Sequence, residues 1–155
     1  MTPALRDELR QRKPFASLEH EAQLSIVRTA SVLFDAFERV VKPYGISATQ
    51  YNVLRILRGA EPEGLCRNEL RDRMLTRMPD VTRLLDRMEE ADLVVRERSN
   101  EDRRQVRTRI TRKGSRLLRE LDDLVEEEHQ RRLGHLSDEA LRTLIGLLAA
   151  VRDRG

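Results

Sequence analysis

The feature that most constrains the fold is a change of apolar period between residues 79 and 110. Before Asp92, apolar residues recur every three or four positions, which is typical of an α-helix. Beyond it, residues 94–98 and 106–110 alternate in character, which is typical of paired β-strands. The polar segment SNEDRRQ between the two runs contains turn-forming residues. The pattern therefore predicts a helix that leads into a β-hairpin with a charged tip.

Helical periodicity extends over most of the remaining chain. The predicted helices cover residues 17 to about 41, 48–58, about 66–74, 79 to about 91, 112 to about 133, and 138 to about 152. Ser47, Thr111 and Ser137 are expected to cap three of them, because a side-chain oxygen can accept from a first-turn N–H. The first helix has a wide apolar stripe that needs more cover than one small domain supplies, which hints at a partner chain.

Composition restricts the class of protein. Aromatic residues make up 3% of the chain and Trp is absent, so the core must be aliphatic. The sequence has no run of about 20 consecutive apolar residues, which a membrane-spanning helix needs. Its polar first residues do not resemble a secretory signal. Metal-ligand spacings, phosphate loops and nucleophile motifs are also missing. We expect a soluble, cytoplasmic protein that is not an enzyme and holds no metal or cofactor.

Basic residues concentrate in the middle of the chain. Residues 67–113 carry 14 basic and 10 acidic side chains, whereas residues 1–66 carry 9 and 8, and residues 114–155 carry 7 and 9. Nearly all of the basic residues are Arg, which suits bidentate contact with phosphate and guanine. The hairpin and its exit are the most basic stretch, which favours a nucleic-acid partner over a merely solubilising surface.

The order of elements predicts a winged helix-turn-helix over residues 46–111, in a chain that is mainly α with a small β-hairpin. A helix fits the major groove of DNA and presents side chains near its N-terminus to base edges. The hairpin tip is slim and basic, and Arg is favoured in a narrow minor groove. Residues 1–16, with a Pro near each end, are expected to form a flexible or partly helical arm.

Three segments carry a specific resemblance: ISATQYNVLRIL, GLCRNELRDRM and TRMPDVTRLLDRMEEADLVVRERSNEDRRQVRTRITRKG. They resemble the MarR family of bacterial regulators (multiple antibiotic resistance regulators). The strongest motif is Asp102-Arg103-Arg104, followed by Ile110-Thr111 and Gly114. The resemblance covers roughly residues 20–150 and implies a homodimer on a palindromic site, with dimerisation helices in residues 17–45 and 112–155.

The resemblance also implies which residues bind DNA. Arg104 aligns with the wing-tip Arg that enters the minor groove, and Asp102 with the Asp that holds it by a charge-assisted hydrogen bond. Asp80 could only accept a hydrogen bond, so it would read a cytosine amine or orient a neighbouring Arg. Thr82 and Arg83 occupy further DNA-facing positions of the family, and Arg87 is a phosphate candidate. Arg77 just before the helix and Arg103 at the basic hairpin tip are candidates by their own positions.

Two positions depart from the family pattern. Asp92 stands where the family usually has Gly, so a left-handed backbone there would be less well tolerated. Cys66 does not match the family's peroxide-sensing cysteine, which lies in the first helix. The interpretation of Cys66 as a small buried apolar residue is therefore favoured over that of a thiol switch.

Regulation by a small aromatic or phenolic anion, bound between the dimerisation helices and the winged region, is a further implication of the resemblance. Phe37, Tyr44 and Tyr51 could line such a pocket or serve as ordinary core aromatics, and the core interpretation is favoured. An effector changes DNA binding only if it binds more tightly to a dimer with one distance between its two winged regions than to a dimer with another.

The sequence therefore predicts a homodimeric, sequence-specific DNA-binding transcriptional regulator, a repressor as in most of the family, with double-stranded DNA as its partner. The alternative is a winged-helix architectural or protein-interaction dimer without a specific operator. Such a module would not need an Arg104 held by Asp102.

Overall fold

The computed structural model describes residues 4–153. Residues 1–3 of the predicted arm and residues 154–155 of the predicted C-terminal region lie outside the described residues. The elements are α1 (Leu5–Glu8), α2 (Leu18–Val41), α3 (Ala48–Arg58), β1 (Leu65–Cys66), α4 (Arg67–Arg73), α5 (Val81–Glu90), β2 (Val94–Arg98), β3 (Val106–Ile110), α6 (Arg112–Leu133) and α7 (Asp138–Asp153). The chain divides into two units, one ending at Phe37 and one beginning at Glu38.

The first unit contains α1 and most of α2. The predicted arm holds one helical turn, α1, and Arg10 after it has a left-handed φ of 51°. Two contacts join this segment to the first half of α2. Arg28 Nε lies 3.8 Å from Glu8 Oε2, and the rings of Phe15 and His20 meet edge to face at 5.8 Å.

In the second unit, hydroxyl side chains cap the helices as predicted. Ser47 Oγ accepts from the Gln50 N–H at 3.1 Å and Gln50 Oε1 accepts from the Ser47 N–H at 2.9 Å, so α3 begins with a capping box. Thr111 Oγ1 accepts from the N–H of Gly114 at 3.0 Å at the start of α6. Ser137 Oγ accepts from the N–H of Ala140 at 3.2 Å at the start of α7.

The predicted hairpin is confirmed with the predicted bounds. Its strands β2 and β3 pair antiparallel, with Val94 opposite Ile110 and Arg98 opposite Val106. The sheet has a third strand, β1, which pairs with β3 in the order β1-β3-β2. Periodicity could not predict β1 because a two-residue strand has no period. Thr108 and Ile110 face the core, whereas Val106, on the same side of the strand, is exposed since it lies toward the tip.

The core of the second unit is aliphatic, as predicted from the composition. It joins α3, α4, α5, the sheet and the first half of α6. Its fully buried side chains include Val53, Leu54, Leu57, Leu70, Met88, Val94, Leu118 and Leu121. The first turn of α6 approaches the sheet closely at Gly114. A Cβ at that position would lie 2.6 Å from the carbonyl oxygen of Leu93. The close approach fixes α6 against the base of the hairpin.

The predicted start of α5 was wrong by two residues. Pro79 was expected in the first helical turn, but the helix begins at Val81 and Asp80 is its N-cap. Asp80 Oδ1 accepts from the N–H of Arg83 at 2.9 Å. Asp80 is the better N-cap residue, because its carboxylate accepts a hydrogen bond from a first-turn N–H and the side chain of Pro79 cannot. Helix α4 likewise ends one residue before Met74, which has extended backbone.

The connection from α5 to β2 turns through Asp92. Its φ is 58°, so the left-handed backbone considered for this position is present. The N–H of Asp92 donates to the backbone carbonyl of Glu89 at 2.9 Å, and the N–H of Leu93 donates to the backbone carbonyl of Met88 at 2.9 Å. These two bonds form a Schellman motif, which usually has Gly at the left-handed position.

Candidate nucleic-acid interface

Helix α5 presents a polar face because its apolar residues alternate with polar ones at helical spacing. Val81, Leu84, Leu85 and Met88 are buried. The residues predicted to face DNA, Thr82, Arg83 and Arg87, are exposed as expected. Among the described residues, the guanidinium groups of Arg83 and Arg87 form no ion pair, so both are available to an external anion.

Two of the predicted α5 contacts have partners inside the chain. Asp80 caps the helix, so its carboxylate orients the backbone of Arg83 rather than a neighbouring side chain. Thr82 Oγ1 accepts from Arg67 Nη1 at 3.1 Å. Arg67 lies at the start of α4, and sequence reasoning did not find it because the two residues are 15 positions apart. The contact leaves the Thr82 hydroxyl as a hydrogen-bond donor.

Arg77 lies in the connection between α4 and α5 and is exposed. Asn52 Oδ1 fixes this connection to α3 by accepting from the N–H of Leu75 at 3.0 Å. Arg77 borders an open cavity together with Arg71 and Pro79. The structure therefore places Arg77 directly before the N-terminus of α5, next to the exposed face.

The wing tip, which is the turn of residues 99–105 between β2 and β3, is ordered by hydrogen bonds to its backbone N–H groups. Asp102 Oδ1 accepts from the backbone N–H of Arg104 at 2.9 Å, so Asp102 fixes the chain at Arg104 and not its guanidinium group. The N–H of Gln105 donates to the Asp102 carbonyl at 2.9 Å and closes the turn. Arg103 and Arg104 are both exposed. Neither side chain forms an ion pair within residues 4–153.

A partly buried contact that the sequence analysis missed joins the wing to α5. Arg96 Nη2 in β2 lies 2.7 Å from Asp86 Oδ1 and 2.9 Å from Glu89 Oε1. The backbone N–H of Arg96 also donates to Glu89 Oε2 at 3.0 Å. The hydrogen bond from Arg96 lowers the pKa of Glu89, and Glu89, followed by Asp86, raises the pKa of Arg96. We call Arg96, Asp86 and Glu89 the wing clamp.

The outward arginines of β3 are also engaged within the chain. Arg107 Nη1 donates to the Gly64 carbonyl at 3.0 Å and lies 3.7 Å from Glu69 Oε2. Arg109 Nη2 donates to Glu61 Oε2 at 3.1 Å. The high charge of the hairpin thus has two roles: Arg96, Arg107 and Arg109 hold the wing to the rest of the second unit, and the tip arginines remain exposed.

The three aromatics considered for an effector pocket are in different surroundings. Tyr44 lines a cavity of about 340 Å³ together with Leu93, Lys113, Arg116 and Leu117. Tyr51 is only 6% exposed and belongs to the core at α3, as in the alternative interpretation. Phe37 is half-buried in α2 and is the last residue of the first unit.

The described residues contain no group of three or more His, Cys, Asp and Glu side chains that could hold a metal ion. Within the same residues, no helix is long and apolar enough to span a membrane. Cys66, which was expected to be buried, is only half-buried and is the N-cap residue of α4. Its N–H donates to Glu69 Oε2 at 2.8 Å, and this hydrogen bond lowers the pKa of Glu69.

Comparisons with known proteins place this architecture. The sequence model of the MarR family matches residues 44–105. The HTH-type transcriptional regulator FarR of Neisseria gonorrhoeae is 27% identical over 143 residues, which are 90% of this chain and 97% of FarR. A crystal structure of a cysteine-to-serine mutant of Escherichia coli MarR, complexed with operator DNA, is 23% identical and has a TM-score of 0.74 over 96% of this chain and 99% of that one.

A crystal structure of a MarR transcription factor from Planctomyces limnophilus is 39% identical and covers 88% of this chain and 99% of its own, with a TM-score of 0.66. The family and the fold are those of transcription regulators and not of enzymes. With 39% identity to a relative that it matches over nearly its full length, the chain belongs to the MarR family of winged-helix, DNA-binding transcriptional regulators.

Proposed function

We propose that this chain is a homodimeric repressor that binds a palindromic operator, with α5 in the major groove and the wing tip in the minor groove. The observation that carries the proposal is a division among the arginines. Arg96, Arg107 and Arg109 of the wing strands are tied to carboxylates or carbonyls inside the chain. Those on the outer face of α5 and at the wing tip are exposed, and among the described residues their side chains are unpaired.

The reading surface is built on rigid supports. Arg83 lies in the first turn of α5, where side chains reach base edges in this type of fold. Arg87 lies one turn later, which suits a phosphate contact that fixes register. Arg104 is carried by a turn that Asp102 orders, and a narrow minor groove attracts Arg by its negative potential. The wing clamp holds the two reading elements in one geometry.

Exposed apolar residues support a second copy as the dimer partner. Helix α7 has 16 residues and none of them is buried. Its Ile145 and Leu147 are each 63% exposed, and α2 exposes Val27 and Phe34 in the same way. A helix of this kind gains most of its stability from packing an apolar face, so we infer that α2 and α7 of two copies cover one another. A two-fold dimer then requires a palindromic operator with half-sites about 34–36 Å apart.

Repression follows from occupancy, because a dimer bound across two half-sites blocks that DNA for other proteins.

The cavity at Tyr44 is the proposed effector site. Leu93 and Leu117 offer apolar surface there, and the positive charges of Lys113 and Arg116 outnumber the one negative charge of Glu120. This combination suits a small aromatic anion, since ligand sites are mostly apolar with a few placed polar groups. The ligand would release DNA by binding more tightly to a dimer whose two winged regions are at a different distance from that in the DNA-bound dimer.

The test is fluorescence anisotropy with labelled DNA from upstream of the chain's own gene and with scrambled DNA of equal length, over a salt series. We expect a preference of about 10³-fold or more for the upstream DNA and a steep loss of affinity with salt. Arg104→Ala should abolish most of the affinity. Arg142→Ala removes the same charge from the exposed surface of α7 and should leave it unchanged.

Equal and weak binding to both DNAs would contradict an operator at this location. If Arg104→Ala also leaves that binding unchanged, the architectural alternative accounts for the protein better. A loss of affinity in the Arg142→Ala variant equal to that in Arg104→Ala would indicate that net charge, and not the wing tip, controls binding.

A further inference from the structure

We propose that the chain has a second anion-binding site, for a small organic polyanion, at the junction of β3 and α6 and apart from the DNA-reading surface. A cavity of about 620 Å³ opens there, a volume within the range of small-molecule sites. Its lining residues come from β3, the first three turns of α6 and the loop before β1: Glu61, Arg109, Ile110, Thr111, Arg112, Ser115, Arg116 and Arg119.

Three of the lining arginines form a row on one face of α6. Arg112, Arg116 and Arg119 follow one another at helical spacings of four and three, so their side chains are neighbours at about 5–6 Å between Cβ atoms. All three are exposed. Over the described part of the chain, their guanidinium groups have neither a hydrogen bond nor an ion pair. We call these three residues the arginine row.

The arginine row lacks the partners that several other arginines of the second unit have. Arg58 is paired with Asp122 at 3.0 Å, and Arg131 and Arg132 are both paired with Glu128. Like charges at neighbouring helical positions destabilise a helix. An arrangement of three such charges around a cavity is therefore stabilised when an anion occupies it.

Further donors border the same cavity. Arg109 uses Nη2 for Glu61, but its Nε is buried and has no hydrogen-bond partner among the described residues. Ser115 is half-buried and lines the cavity with its hydroxyl group uncommitted in the described part. The site also adjoins the N-terminus of α6, a helix of 22 residues, and the positive end of a helix dipole favours anions.

The donor set specifies the class of ligand. Guanidinium groups bind phosphate and carboxylate oxygens in bidentate fashion, and Arg112 and Arg119 are separated by about 10 Å along the helix axis. One monoanion cannot satisfy charges spread over this length. A molecule with at least two anionic groups, such as a phosphate ester or diphosphate, matches the arginine row. The strand β3 separates the site from the wing tip by about 17 Å.

Arg116 also lines the cavity at Tyr44, so the test uses the other two members of the row. Isothermal titration of the purified chain with inorganic pyrophosphate should show saturable binding. The double variant Arg112→Gln/Arg119→Gln should weaken it by about 10-fold or more, because each charge-assisted hydrogen bond contributes on that scale. The matched control Arg142→Gln/Arg152→Gln removes two charges from α7 and should change affinity less than twofold.

Three results would overturn the proposal: no saturable binding at millimolar pyrophosphate, equal weakening in the control, or weakening of duplex DNA binding in the double variant as large as that of pyrophosphate. The last result would make the arginine row a DNA contact. The proposal does not depend on operator binding, since a protein without a specific operator would still bind pyrophosphate at this site.

Discussion

Asp92 holds a backbone conformation that costs more for aspartate than for glycine. Its left-handed φ of 58° completes the Schellman motif after α5, and such a conformation costs a residue with a Cβ about 1–2 kcal/mol. Replacement by Gly removes this strain but increases the entropy of the unfolded chain. We expect Asp92→Gly to raise the free energy of unfolding by about 0.5–1 kcal/mol in urea denaturation.

Asp92→Ala is the control, since Ala keeps the Cβ and loses the tolerance of Asp for this conformation. It should be less stable than the wild type. A Gly variant no more stable than the Ala variant would show that the turn is unstrained.

The close packing of α6 can be tested by making the same Gly-to-Ala substitution at Gly114 in α6 and at Gly146 in α7. A Cβ at Gly114 would lie 2.6 Å from Leu93 O and 2.8 Å from Ile110 Cγ1, whereas a Cβ at Gly146 meets nothing within 4 Å. Gly114→Ala should therefore destabilise the chain by about 1–3 kcal/mol. Gly146→Ala should stabilise it by up to about 1 kcal/mol, because Ala is the better helix former. Thermal denaturation of both variants gives the comparison, and equal effects would contradict the packing at α6.

At this scale the sequence was most informative where a side chain acts on its own backbone neighbours. Ser47, Thr111 and Ser137 cap the predicted helices because capping depends on residues three positions away. Arg96 and Arg67 were missed, since their partners are brought to them only by the fold. Asp80 was assigned to DNA by resemblance, but its nearest donor is the N–H of Arg83.

The wing clamp connects two elements, so its loss should affect DNA binding without removing a DNA contact. The Arg96 side chain is 24% exposed and pairs with the half-exposed Asp86 and Glu89. We expect Arg96→Met to lower the free energy of unfolding by about 1 kcal/mol, after allowance for solvent screening. Operator affinity should fall further than this stability loss explains, measured at a temperature where the variant is fully folded.

Arg96→Lys should restore part of the affinity, because it keeps a charge near Asp86 and Glu89 but not the planar guanidinium. Unchanged operator affinity in a folded Arg96→Met variant would contradict the role of the clamp in positioning the wing.

Glu128 provides a pH-dependent contribution to α6. Its side chain is 5% exposed and accepts from Arg132 at 2.7 Å and from Arg131 at 2.9 Å. The Arg132 hydrogen bond lowers the pKa of Glu128 below its ordinary value of 4.5. Because the folded pKa is lowered, the stabilisation is present above 4.5 and is lost as the pH falls through the folded pKa.

Glu128→Gln should therefore be less stable than the wild type at neutral pH, and the difference should shrink as the pH falls below about 4.5. Glu127→Gln, one position away on the exposed face, should show little difference at any pH. Urea denaturation as a function of pH measures both, and a constant deficit in Glu128→Gln would contradict the charge interaction.

At the scale of elements, length decided what the sequence could predict. The bounds of α3, β2, β3 and the start of α6 were correct because each pattern is long enough to show a period. The strand β1 has two residues and depends on pairing with β3, a non-local contact that periodicity does not contain.

The dimer is a property of the whole molecule and makes a direct prediction. Leu147→Glu places a charge in the exposed apolar face of α7, which the proposed partner copy covers. Light scattering should give twice the chain mass of 18.1 kDa for the wild type and a monomer, or a concentration-dependent mixture, for the variant. Arg142→Glu changes the opposite face of the same helix and should remain dimeric. A monomeric wild type would contradict the proposed assembly.

The central claim is that two copies read a palindromic site through α5 and the wing. Selection from random double-stranded DNA tests it without knowledge of the operator. We predict enrichment of a two-fold symmetric sequence with half-sites about 10 base pairs apart, centre to centre. The enrichment should be lost for Arg104→Ala and kept for Arg142→Ala. Failure of the wild-type protein to enrich any palindrome would contradict the account.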